Sequence, residues 1–156
     1  MQKRNLEGEV LEFFLAEANE VKKRTFTKQG ANNRVLLSDN SWFQFGDLRV
    51  DTSSSHIIVE VESSGGVTNL VKYWLLLDQK LITKQLTLIH LFQKKSRRDY
   101  LSHLNLWNFL SQHMEKKLTG RFDSRLFTFD SGSLKSSLQP AILYFRECLR
   151  DNSAAA

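Results

Sequence analysis

Residues 41–62 read SWFQFGDLRVDTSSSHIIVEVE, and this stretch restricts the possible folds more than any other. Side chains in a strand alternate between faces, so Glu60 and Glu62 fall on one side of a predicted strand while Ile57, Val59 and Val61 fall on the other. Phe45, Asp47, Arg49 and Asp51 share a face of a preceding strand by the same rule, with residues 51–55 as a polar turn. Strands this rich in Ile, Val, Leu and Phe belong in a core. A charge buried there without a partner costs on the order of several kcal/mol. Either that face is wet, or its carboxylates hold something, such as a metal ion.

The flanking sequence supplies the layers. Leu6, Val10, Phe13, Phe14, Ala18 and Val21 recur at three- and four-residue steps, predicting a helix over 4–23, with Glu7, Glu9, Glu12, Glu17 and Glu20 distributed around it. Residues 24–34 are polar and contain Gly30, so they read as a loop or a ragged strand. Residues 35–37 read as a short strand closed by Ser38-Asp39-Asn40. After the central hairpin, SSGG at 63–66 breaks the strand, and Thr68 is placed to cap a helix over 68–79 that carries Leu70, Tyr73, Trp74 and Leu77. Residues 85–92 (QLTLIHLF) are almost continuously apolar, as in a strand covered on both faces. A helix over 99–117 follows, its apolar side read as Leu101, Leu104, Trp107, Phe109, Leu110 and Met114. A strand at 125–129 comes next, and then a helix over 133–149 that Pro140 kinks or divides. Strands interleaved with helices predict an α/β (α+β) fold: a mixed β-sheet flanked by helices on both faces. A single domain over 1–152 and a disordered tail at 153–156 are expected.

Composition narrows the function. The 156 residues are 41% hydrophobic and 25% charged, a globular balance. No run of about 18 apolar residues marks a membrane span, and MQKRNLEGEV lacks the apolar centre of a signal peptide. The one cysteine, Cys148, excludes an internal disulfide framework and a Cys-rich zinc site, and an intracellular, cytoplasmic setting is the expectation. Cys148 has no evident base partner. His90 sits in an apolar strand and reads as a core histidine with its hydrogen bonds satisfied. No GxxxxGK[ST] or GxGxxG motif is present. The net charge of +5 is concentrated in two clusters: Lys22, Lys23, Arg24 and Lys28, and then Lys94, Lys95, Arg97 and Arg98.

An Asp in FGDLRV, followed 13 residues later by the Glu-x-Glu of IIVEVES, with a helix before and a helix and strand after, resembles the core of the PD-(D/E)XK nuclease superfamily. The resemblance spans roughly residues 5–77 and implies a restriction-endonuclease-like fold. It implies Asp47 and Glu60 as metal-binding acids, with the carbonyl of Val61 beside them. It also implies an acid on the first helix. Glu7, followed by Val10, Leu11 and Phe14 on one helical face, fits the pattern of Holliday-junction resolvases, and Glu9 and Glu17 are alternatives. Asn69 and Tyr73, four apart on the next helix, resemble the Gln-x-x-x-Tyr motif of RecB-type nucleases with Asn for Gln. This chain departs from the pattern at Gly46, where Pro is usual, and at Glu62, where Lys is usual. Lys72, one helix later, is placed to reach back with the missing positive charge.

The implied activity is metal-dependent hydrolysis of a phosphodiester bond in DNA, with RNA not excluded. Mg²⁺ or Mn²⁺ held by hard oxygen ligands is the implied cofactor. Glu62 is then the group that orients or deprotonates the attacking water. Arg24, Lys28, Lys94, Lys95, Arg97 and Arg98 become candidate phosphate contacts, which position a nucleic acid without reading its bases. A homodimer is implied if both strands of a duplex are cut. The alternative is a catalytically silent member of the same fold, binding nucleic acid or a protein partner within a larger complex, with Glu62 the residue that favours it.

Overall fold

The computed structural model describes residues 5–28, 31–62, 66–95 and 98–151; the side chains of residues 98, 99 and 151 lie outside that description. The expected breaker at 63–65, Arg97 and the tail at 153–156 also fall outside it.

The elements run α1 (Leu6–Glu20), β1 (Thr25–Thr27), β2 (Arg34–Leu36), β3 (Trp42–Gln44), β4 (Leu48–Asp51), β5 (Ser55–Glu62), α2 (Val67–Asp78), β6 (Gln85–Gln93), α3 (Arg98–Lys117), β7 (Phe122–Phe129), α4 (Leu134–Ser137) and α5 (Gln139–Asp151). Five strands form one mixed sheet in the order β1-β4-β5-β6-β7. The β4–β5 hairpin is antiparallel, whereas β5, β6 and β7 run parallel and are joined through α2 and α3, since a parallel pair needs a crossover.

Alternation along β5 and β6 divides the interior into two cores. Ile57, Val59, Ile89 and Leu91 point to one face and pack with Leu48, Val50 and Phe129 against Val10 and Phe14 of α1 and Ala141, Ile142 and Phe145 of α5. Ile58, Leu86, Leu88 and Phe92 point to the other face, against Leu70, Tyr73 and Leu77 of α2 and Trp107 and Met114 of α3. The mixed sheet with helices on both faces is therefore the fold. Glu60 and Glu62 share the α2 face with Ile58, as their spacing requires.

Three expectations are corrected, and one open choice is decided. The stretch before the turn is two strands, not one: β3 pairs with β2 in a separate ribbon, and only β4 joins the main sheet. Gly46 divides them, with φ of +85° and a position where an added Cβ would lie 2.6 Å from Ile58 Cγ2, so the conformation and the space both demand glycine. Residues 25–27, read as loop or ragged strand, take the second of those forms as the short edge strand β1. Thr68 caps nothing; Gly66, at φ of +117°, is the N-cap of α2, with no side-chain cap bond. Leu101 and Phe109 are not on the buried side of α3 but 61% and 63% exposed, and Trp107, Ser111, Met114 and Leu118 are inside. Pro140 does divide the last helix: α4 ends at Ser137, and Pro140 occupies the first turn of α5, where its missing N–H has no helical partner to lose.

Candidate functional site

At the C-terminal end of β5 the sheet opens into a pocket of about 350 Å³ lined by Glu7, Lys28, Gln44, Asp47, Glu60, Val61, Glu62, Asn69 and Lys72. Residues of α1, β3, β5 and α2 converge there, with Lys28 just after β1 and Asp47 just before β4. Asp47 stands just ahead of β4, its backbone N–H donating to the Val59 carbonyl at 3.1 Å. Its side chain is fixed from two sides: Val61 N–H donates to Oδ2 at 2.8 Å and Gln44 Nε2 to Oδ1 at 3.1 Å. The turn at Gly46 thus aims Asp47 across the hairpin at β5.

Glu60 is 3% exposed and receives Lys72 Nζ at 2.9 Å and the Tyr73 hydroxyl, both on Oε1. Among the described residues nothing donates to its Oε2. Tyr73 is fully buried, and that burial, reinforced by the charge of Glu60, holds its phenol well above the usual range, so it stays a hydrogen-bond donor. Lys72 and Tyr73 are adjacent on α2 and both reach Glu60, an arrangement that orients the carboxylate and balances part of its charge.

Glu62 is held differently. Asn69 Nδ2 donates to its Oε1, and His90 Nε2 lies 3.3 Å from the same oxygen. His90, directly opposite Glu60 in the parallel β5–β6 register, accepts on Nδ1 from Trp107 Nε1 at 2.9 Å. An indole N–H only donates, so Nδ1 carries no proton, and neutral His90 must present Nε2–H to Glu62. Trp107 thereby selects the tautomer that makes His90 a donor. Glu62 faces two donors, an environment made for a carboxylate and unsuited to an ammonium.

Charge is in excess. Four carboxylates line the pocket against two lysines. Burial first, and then the charge of Glu60, push Asp47 up to about 7, with Glu7 adding to the effect and the Val61 N–H and Lys28 opposing it. Lys28, 3.3 Å from Glu7, is raised: its burial works against the charge, but Glu7, Asp47 and Glu60 outweigh it. Like charges held this close titrate together and favour a bound cation.

Among the described residues no three His, Cys, Asp or Glu side chains are arranged to hold a metal ion. The donor set is Asp47, Glu60 and the pocket-lining Val61, with Glu7 and Glu62 at the margins. Two carboxylates with a carbonyl suit a hard cation that retains most of its waters, as Mg²⁺ does, and not a zinc ion closed in by protein.

Of the residues singled out from the sequence, Glu7, Lys28, Asp47, Glu60, Val61, Glu62, Asn69 and Lys72 come together, with Tyr73 beneath them. Glu17 does not: Arg146 donates to it from Nε at 2.8 Å and from Nη2 at 2.6 Å, tying α1 to α5, and Glu9 lines no part of the pocket. Arg24 sits at the far end of β1, stacked 4.7 Å from the Phe26 ring and roughly 13 Å along the strand from Lys28. Lys94 and Lys95 are exposed and follow β6, whose Phe92 pairs with Glu62 in the parallel register; neither lines the pocket. A smaller hollow links Glu7, Val61 and Glu62 to Gln93, the last residue of β6. Gln44 carried no signal in the sequence, and nothing there connected His90 and Trp107 to Glu62. Comparison with known proteins yields no match to a family model, a curated protein or a solved structure.

Proposed function

We propose that this chain is a divalent-metal-dependent nuclease of the PD-(D/E)XK type, hydrolysing phosphodiester bonds in DNA. The observation that carries the reading is the meeting of Asp47, Glu60 and Lys72 in one open pocket at the end of a mixed sheet. A Mg²⁺ ion held by Asp47, Glu60 and the Val61 carbonyl would supply Lewis-acid stabilisation of the phosphoryl oxygens and an activated water. The protein's own groups do the rest. Tyr73 and Lys72 fix the direction of Glu60. Lys72 also brings positive charge to where the phosphoryl group gathers negative charge. Asn69 and His90 hold Glu62 aimed, so that it can accept a proton from water. Lys28, at the mouth, pairs with phosphate when Glu7 releases it, and Lys94 and Lys95 extend the cationic rim. Two copies would act together if both strands of a duplex are cut.

A silent nuclease-fold binding protein is the second reading, favoured by a carboxylate at position 62 and by the lack of a three-carboxylate metal set among the described residues. Incubating the protein with plasmid, single-stranded and branched DNA in Mg²⁺, Mn²⁺ or EDTA, beside Asp47→Ala, separates the two. Metal-dependent cleavage that disappears in Asp47→Ala supports the enzyme. Binding without cleavage under every condition supports the silent protein.

A further inference from the structure

The β2–β3 ribbon is small, yet its outer face continues the pocket floor. Its register pairs Arg34 with Gln44, Val35 with Phe43 and Leu36 with Trp42. Alternation then puts Arg34, Leu36, Trp42 and Gln44 on one face and Val35 and Phe43 on the other. Val35 and Phe43 pack against the α2–α3 core, so the first four residues look outward. Gln44 already lines the pocket and touches Asp47. From it the strip runs to Arg34 and Trp42, whose guanidinium carbon and ring centroid lie 3.9 Å apart, and on to Leu36. Trp42 is 47% and Leu36 66% exposed.

The ribbon is rigid where it matters. Asn33 ties its base, donating from Nδ2 to the Gly46 carbonyl at 2.9 Å and accepting from Phe45 N–H at 2.9 Å. At its tip, Asp39 accepts from the Ser41 N–H and hydroxyl, and Asn40 takes a positive φ of 68°. A tryptophan fixed in this way, exposed and stacked with an arginine that makes no ion pair among the described residues, has no evident role in folding. An indole with a cation beside it offers what an unpaired nucleotide needs: a flat face for the base and a positive charge for the phosphate. A base inside a duplex is already stacked and has no free face to give.

We infer that the Arg34–Leu36–Trp42 face is a binding platform for single-stranded or unpaired nucleic acid, leading the strand past Gln44 into the acidic pocket. This rests on the nuclease reading for the meaning of the pocket, but not for the binding itself. Trp42 lies about 7 Å along the strand from Gln44, so a nucleotide stacked there is a short step from the acids. The substrate class becomes flaps, loops, junctions or free single strands.

The test measures anisotropy of fluorescein-labelled oligo-dT and of a blunt duplex, in EDTA, with wild type, Trp42→Ala, Trp42→Phe and Arg34→Gln. The single strand is expected to bind wild type more tightly than the duplex. Trp42→Ala should weaken it by roughly tenfold or more, Arg34→Gln by less, and Trp42→Phe should retain most of the affinity. Oligo-dT should also quench intrinsic fluorescence in wild type and not in Trp42→Phe, a readout independent of how well the alanine variant folds. Equal affinity of wild type and Trp42→Ala for oligo-dT overturns the platform, as does preference for duplex. Self-association that Trp42→Ala abolishes, with no oligo-dT binding, overturns it in favour of a protein interface. Calorimetry with Mg²⁺ on wild type and Asp47→Ala is run alongside. Metal binding lost in Asp47→Ala with an unaltered oligo-dT response to Trp42→Ala defeats the platform alone. A Trp42-dependent response with neither metal binding nor cleavage defeats the nuclease reading alone.

Discussion

Two aspartates bracket β4, one at each end, and their surroundings are opposite. Asp51 faces His56 Nδ1 at 2.6 Å and Arg49 Nε at 3.1 Å. Burial alone would raise it, but the His56 hydrogen bond and the charges of Arg49, His56 and Lys84 outweigh that and bring it below the usual carboxylate value. Asp47, four residues away, is pushed up to about 7, because burial is compounded there by Glu60 and Glu7. Asp51 has its counter-charges built in, whereas Asp47 stands among like charges. A paired acid is a structural feature, whereas an acid kept among other acids is a candidate functional group.

The largest expected effect separates the two by activity. If the pocket is catalytic, Asp47→Asn and Glu60→Gln should each lower Mg²⁺-dependent cleavage by roughly a thousandfold or more, while Asp51→Asn leaves it near wild type. Equal losses at both ends of β4 in a gel-based cleavage assay would erase the distinction.

The second effect is on stability against pH. The native pKa of Asp47 lies above its unfolded value of 3.8, so between those two values the native state holds the extra proton. The stability tied to that proton is complete below pH 3.8 and is lost as pH rises through about 7. The loss is about 4 kcal/mol at most. Metal-free denaturant melts from pH 4 to 8 should show the decline, Mg²⁺ should recover part of it at pH 8, and Asp47→Asn should flatten it. Asp51 has the reverse sign: its contribution is present above pH 3.8 and is lost as pH falls further.

Smaller effects test the neighbours. Glu62→Lys restores the residue usual in the family resembled, yet it would set an ammonium against the Asn69 and His90 donors. It should cost about 2 kcal/mol of stability and should not raise cleavage. A more active, equally stable Glu62→Lys would show that position 62 is indifferent to its surroundings. Asp51→Asn, which keeps the shape and removes the charge, should cost about 1 kcal/mol in a urea melt.

Much of this contrast could be read from residue order alone. Period-two alternation assigned Glu60 and Glu62 to one face, and Glu7, Asn69, Lys72 and Tyr73 followed from a family resemblance. What could not be read depends on long-range geometry. WFQFGDLRV has unbroken strand character, and only the left-handed φ of Gly46 divides it between two sheets, a cue that a glycine inside a strand pattern does carry. That Lys28 lies beside Glu7 could not be read either, because it depends on β1 pairing antiparallel with β4. Gln44 enters through the ribbon, and an amide has no pattern that announces it. On α3, hydrophobic residues occur on both sides of the helix, so periodicity alone could not tell buried Trp107 from exposed Phe109. His90 was expected to be satisfied within the core, and it is; that one of its partners is Glu62 depends on strand register.

The Trp107–His90–Glu62 chain also makes the protein its own reporter. The indole N–H of Trp107 is one of three in the sequence, and in a ¹⁵N-labelled sample such protons form a sparse, separate group of resonances. Its hydrogen bond ends on a ring whose other nitrogen faces Glu62, so charge arriving near Glu62 should polarise the imidazole and move that one signal. If the pocket takes a cation or a phosphate, its entry can then be followed from inside the core, with no dye, no substrate turnover and no altered residue.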